Sequence, residues 1–130
     1  CGLTTDGTAY CWGENDQGAP VYPIAGFTFT SLAVGGWGGG HHTCGVTSNG
    51  AAYCWGINSS GQLGDGTYTD RLTPTLVSGG ITFTALSAEH ASTCGMASNG
   101  GAYCWGQNGD GQLGDGTRTG RSTPTLVLRP

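Results

Sequence analysis

Six cysteines offer the first chemistry in this sequence. They fall as three pairs of one spacing, Cys1/Cys11, Cys44/Cys54 and Cys94/Cys104, each C-x9-C. An even count at a fixed spacing reads as a disulfide framework, and so as a protein of an oxidising compartment, extracellular or periplasmic. Zinc is the rival chemistry, but it usually takes short C-x2-C or H-x3-H spacings, which this sequence lacks. The histidines are His41, His42 and His90. The adjacent pair and the third, in the corresponding stretch of the next unit, offer no credible third ligand, so no metal and no cofactor is expected. Serine, histidine and aspartate are all present, but no G-x-S-x-G nucleophile turn occurs. The 8 acidic residues are too scattered to single out a carboxylate pair for glycoside hydrolysis. The expectation is a protein that is not an enzyme.

A polar loop recurs. Asn58-x-x-Gly61-Gln62-Leu63-Gly64-Asp65-Gly66-Thr67 returns as Asn108 to Thr117, with Gly111, Gln112, Leu113 and Asp115 at the matching places. Asn108, Asp110 and Asp115 raise the question of calcium, but the spacing is not that of an EF-hand and the bidentate Glu is missing. The expected role is structural: glycines for tight turns, Leu63 as a buried plug, and Asn58 and Thr67 bonded to the loop backbone. Arg71 and Arg121 follow at equivalent places and are expected to tether neighbouring units through acids such as Asp65 or Asp115. Asn58-Ser59-Ser60 also spells a glycosylation sequon in an expected surface loop. Trp12, Trp55 and Trp105 each follow the second cysteine of a pair, and their fixed place favours burial between units. Trp37 has no counterpart and sits among glycines. With His41 and His42 beside it, it is the candidate contact residue.

These residues are placed by a repeat. Cys94 lies 50 residues after Cys44, and Cys44 lies 43 after Cys1, because the first unit lacks the 11 residues matching Gln62 to Leu72 and gains 4 around Trp37. A period near 50 points to a propeller or a solenoid. The units are 1–43 (shortened), 44–93, and 94–130, which lacks a last strand. Each full unit holds four short strand candidates, TCGVT, AAYCWG, TPTLV and ITFTALSA, bounded by turn residues. Four strands are the content of a propeller blade. The turn Ser48-Asn49-Gly50 suits a three-residue hairpin loop with the glycine at positive φ. That register sets Val46 opposite Ala52, Gly45 opposite Tyr53, and Cys44 opposite Cys54, as a cross-strand disulfide requires. It also sets each unit's tyrosine over a bare strand glycine.

The string Thr43-Cys44 … Tyr53-Cys54-Trp55-Gly56-x-Asn58-x-x-Gly61-Gln62-Leu63-Gly64-Asp65-Gly66-Thr67, followed by Thr73-Pro74-Thr75 and Thr84-Ala85-Leu86, resembles the regulator-of-chromosome-condensation repeat. The third unit matches from Thr93 through Thr125. The first matches through Trp12, Gly13, Asn15 and Gly18 and then departs. The resemblance implies an all-β propeller, typically of seven blades, of which about 2.6 repeats of about 50 residues make a partial ring. The paired cysteines resemble the secreted, bacterial branch of the family. Relatives include a nucleotide-exchange factor for a small GTPase and a proteinaceous β-lactamase inhibitor, so the resemblance implies fold more than function.

The totals narrow the partners. The chain has 130 residues, 8 acids, 4 arginines and no lysine, a net charge of −4. That balance argues against nucleic acid, whose phosphates call for Lys and Arg. No apolar run approaches the length of a spanning helix. A start on a cysteine inside a patterned segment reads as a processed product or a piece of something longer. The expected function is a secreted, non-enzymatic scaffold or protein-binding module, with self-association as one form. Carbohydrate binding through Trp37 or the ladder tryptophans is the alternative, with enzyme inhibition a third.

Overall fold

The computed structural model describes residues 1–13, 22–36 and 41–129. Trp37, Asn15 and Gly18 lie outside them. The described residues form eleven strands and no helix. They are β1 (Gly2–Leu3), β2 (Ala9–Cys11), β3 (Tyr22–Pro23), β4 (Phe29–Gly35), β5 (His42–Thr47), β6 (Ala52–Gly56), β7 (Arg71–Leu76), β8 (Phe83–Glu89), β9 (Ser92–Ala97), β10 (Ala102–Gly106) and β11 (Arg121–Leu126).

The strands pair into three antiparallel sheets, of order β1-β2-β3, β4-β5-β6-β7 and β8-β9-β10-β11. Sheet and repeat are therefore out of phase. The ITFTALSA-type strand closes each repeat in sequence but opens the next sheet in space: β4 pairs with β5, and β8 with β9. The shortfall expected at the end of the chain falls instead in the first sheet, which has three described strands, whereas the last has four. The leading strands β4 and β8 pack side by side, as inner strands of adjacent propeller blades do.

The hairpins carry the expected register. Val46 faces Ala52, Gly45 faces Tyr53, and Cys44 faces Cys54; Gly2–Tyr10 and Gly95–Tyr103 repeat the second pair. Gly50 closes its turn at φ 81°, a conformation costly for any residue with a Cβ. Three disulfides follow, Cys1–Cys11, Cys44–Cys54 and Cys94–Cys104. Each staples one hairpin and none joins two sheets, so packing must hold sheet to sheet.

One packing expectation needs correction. The side chain that lies nearest over Gly45 and over Gly95 is a phenylalanine, where the tyrosine opposite was expected. A Cβ on Gly45 would lie 2.5 Å from the Phe29 ring, and one on Gly95 2.6 Å from the Phe83 ring. The ring comes from the leading strand on the other side, a pairing visible only once the sheet phase is known. Two apolar cores result. Ala9, Cys11, Ile24, Phe29 and Trp55 fill the seam between the first and second sheets, and Val46, Ala52, Leu63, Val77, Phe83 and Trp105 that between the second and third.

Candidate functional site

The loop from β6 to β7 is organised by one buried side chain. Asn58 is fully enclosed. Its Oδ1 accepts the Leu63 amide at 3.0 Å, and its Nδ2 donates to the carbonyls of Thr67 and Thr69, both at 3.0 Å. Asp65 closes the other side. Its Oδ1 accepts the Thr67 hydroxyl at 2.7 Å and the Thr67 amide at 2.9 Å, while Oδ2 accepts Arg71 Nε at 2.9 Å. Asn108, Asp115, Thr117 and Arg121 repeat the arrangement between β10 and β11. The arginines thus pair within their own loops and do not tether one unit to the next. Because Arg71 opens β7 only 6 residues after Asp65, the loop itself brings the two together. The sequon is closed for the same reason: the folded protein offers no Asn58 amide to a glycosyltransferase.

The braces fix an acid response. Burial raises the Asp65 carboxyl, but the Thr67 hydroxyl and amide and then Arg71 outweigh it, and the net shift is downward. The Thr117 hydroxyl, then its amide, hold Asp115 below the usual carboxylate range. A carboxyl depressed by folding contributes stability above its unfolded value and loses it as pH falls through the folded one. Stability is therefore expected to decline below about pH 4. The Asp65→Asn, Asp115→Asn double variant should show a shallower decline between pH 4 and pH 2 in urea titrations. An unchanged slope would show that these carboxyls are not the acid-sensitive groups.

The second construction spans the seam between sheets. The Gln62 carbonyl accepts two bonds from the third sheet, from Trp105 Nε1 at 2.9 Å and from the Thr93 hydroxyl at 2.8 Å. His42 Nε2 lies 2.8 Å from the same hydroxyl. Since that hydroxyl spends its one proton on Gln62, His42 Nε2 is the donor, which fixes the imidazole with a proton on Nε2. Gly64 makes the close approach possible, because a Cβ there would sit 2.6 Å from the indole nitrogen. His42, Thr93, Gln62, Leu63 and Trp105 are all fully or almost fully buried.

This geometry reassigns several residues. His42 is a seam residue with no surface to offer a partner. Its neighbour His41 is half-buried, with its carbonyl accepting the Ile57 amide at 2.9 Å. Trp37 falls outside the described residues; of the candidate contact set of Trp37, His41 and His42, the structure describes His42 as buried and His41 as half-buried. Trp55 and Trp105 are core, but Trp12 is 51% exposed, because no described sheet lies in front of the first. No group of three or more His, Cys, Asp or Glu side chains suited to a metal is found among the described residues. Sequence reasoning missed the His42–Thr93–Gln62 chain. The available signal was a threonine before both Cys44 and Cys94.

Comparison with known proteins supplies the rest. Models of the regulator of chromosome condensation (RCC1) repeat match residues 1–19, 29–62 and 83–112 in one form and 49–95 and 99–130 in another. The chain belongs to the RCC1 repeat family. Among solved structures, Prp20p of Saccharomyces cerevisiae superposes with a TM-score of 0.82 at 21% identity, over 98% of this chain and 35% of that one. Human WBSCR16 gives 0.74 at 23%, over 84% and 28%. The ectodomain of the Physcomitrella patens receptor kinase CR4 gives 0.53 at 31%, over 80% and 25%. This RCC1-repeat chain thus spans about a third or less of the structures it matches. No curated protein matches it by sequence.

Proposed function

We propose that the chain is a non-enzymatic protein-binding scaffold of an oxidising compartment outside the cytoplasm, its repeats 1–43, 44–93 and 94–130 acting as one propeller segment. The observation that carries this reading is where the repeated residues point. Asn58, Leu63, Thr93 and Trp105 are buried in bonds to their own chain, while Leu72, Leu76, Leu126 and Leu128 stand at least half exposed on sheet edges and ends. Recognition is then left to surfaces between and beyond the braces. The yeast relative Prp20p has binding properties toward Gsp1p and histones and has been solved with Kap60 bound to it, all protein partners, which favours protein over glycan or nucleic acid as the ligand class here. The three disulfides support the compartment.

Native mass spectrometry under non-reducing conditions, on material purified from its source, tests both halves. The expected result is an assembly heavier than the 13.1 kDa chain, with no thiol open to alkylation until reductant is added. A lone 13.1 kDa species overturns the binding half, and free thiols overturn the compartment.

A further inference from the structure

At both seams the disulfide lies on the face of its sheet that the next sheet covers. Cys44 and Cys54 share a core with Phe83 and Trp105 of the third sheet, and both cysteines are at 0% exposure. The first seam repeats the placement. Cys11, also fully buried, shares a core with Phe29 and Trp55 of the second sheet, and Cys1 packs against it. The covering strand is tied to the stapled hairpin itself. The Phe83 amide donates to the Gly50 carbonyl at 2.8 Å, and the Thr82 methyl lies over Gly50. The Phe29 amide and the Thr28 methyl do the same at Gly7.

Making the bridge and covering it draw on different parts of the chain. The Cys44–Cys54 register needs only β5, β6 and the turn between them. The cover needs Phe83 and Trp105, which come later in the sequence than either cysteine. Hairpins form fast, and contacts between distant segments form more slowly. A lone hairpin is marginal, so the bridge also holds the Gly50 carbonyl and the Val46–Ala52 face ready for the strand that docks. Once the cover is on, the sulfurs are closed to exchange, because an attacking thiolate must reach one of them.

We propose that thiol–disulfide exchange acts on Cys44 and Cys54 before the third sheet docks, and that the docked sheet then gates their bridge against reductants. The oxidant is the disulfide of a thiol oxidoreductase. One hairpin thiolate attacks that disulfide, forming a mixed disulfide and releasing one oxidoreductase sulfur as a thiolate. The other hairpin thiolate attacks the hairpin sulfur of the mixed disulfide, and the oxidoreductase leaves as a dithiol. The hairpin loses two electrons and two thiol protons, and the oxidoreductase gains both. Reversal needs a thiolate at the same sulfurs, so it waits on opening of the seam.

The inference rests on the oxidising compartment of the proposed function and not on the binding role. Its first test is the rate at which dithiothreitol, closing to its cyclic disulfide, opens the bridge, read by quenched alkylation and peptide mass mapping. In the native, disulfide-intact protein, Cys44–Cys54 should open about a hundredfold more slowly than in the urea-unfolded protein. Below the unfolding transition the logarithm of that rate should rise linearly with urea, as exchange through an opened seam requires. Trp105→Ala should speed it about tenfold, and Trp12→Ala should leave it unchanged. Reduction at the unfolded rate, a rate flat in urea, or one unmoved by Trp105→Ala overturns the gate. The urea series on the wild-type chain decides the matter even where the Trp105 variant does not fold. The second test is pulsed hydrogen exchange during oxidative refolding. The bridge should be complete before the Phe83 amide gains protection, and protection ahead of the bridge overturns the order. Free thiols at Cys44 and Cys54 in the purified protein would instead overturn the compartment.

Discussion

Trp105→Ala is expected to lower stability by about 3–5 kcal/mol, the range for emptying a fully buried large aromatic site. The site cannot close over the loss. The indole is packed against Phe83 at 5.7 Å between centroids and bonded to the Gln62 carbonyl. Its neighbour Gly64 has no side chain to swing inward. The damage falls on the seam, so the shape of the transition should change as well as its midpoint. Repeat arrays are held by nearest-neighbour contacts, and weakening one interface uncouples the parts on either side. Urea denaturation followed by far-ultraviolet circular dichroism, without reductant, should turn from one step into two. Trp12→Ala is the internal control: it has the same place in the repeat but is 51% exposed, and it should cost within about 0.5 kcal/mol of nothing. Equal losses at the two positions would show that the seam is not what holds the sheets together.

Asn58→Ala should cost about 2–4 kcal/mol, because it orphans the buried Leu63 amide and removes the donor shared by two carbonyls. The loop it braces carries Gln62, so the seam acceptor loosens with it. Asn108→Ala removes the same bonds from a loop whose Gln112 is exposed and on which no further described sheet rests. It should therefore cost less and leave the unfolding in one step. Asn58→Asp is no rescue, since a carboxylate would face the Thr67 and Thr69 carbonyls and Asp65 where an amide now donates. Thermal melts of the three variants make the comparison. A loss below 0.5 kcal/mol at Asn58, the scale of an ordinary surface change, would remove the brace from the account of stability.

The parts of this structure that the sequence discloses are those fixed by short-range geometry. A three-residue turn ending in glycine sets a register, and the register places Cys44 over Cys54 without knowledge of the rest. What it hides is phase. A pattern that recurs every 50 residues has no marked origin, so nothing local says that ITFTALSA belongs with the strand after it. The shifted contacts follow from that single ambiguity: phenylalanine nearest over Gly45 and Gly95 in place of tyrosine, and three described strands in the first sheet and not in the last. Arg71 was misread for a different reason, since a charge says that it needs a partner but not which one. His42 shows the limit for sites. Its type invites a ligand role, and only its position in the seam shows that both its neighbours and its proton are already committed.

The offset between repeat and sheet also bears on how such a chain grows. A tandem duplication in the gene has no reason to begin at a structural border. Here it need not, because every strand a new copy takes from one sheet it returns to the next. Insertion at any phase of the period restores the same pairings. The joints are staggered like courses of brick, so one more or one fewer copy changes the length of the wall and leaves its bond intact.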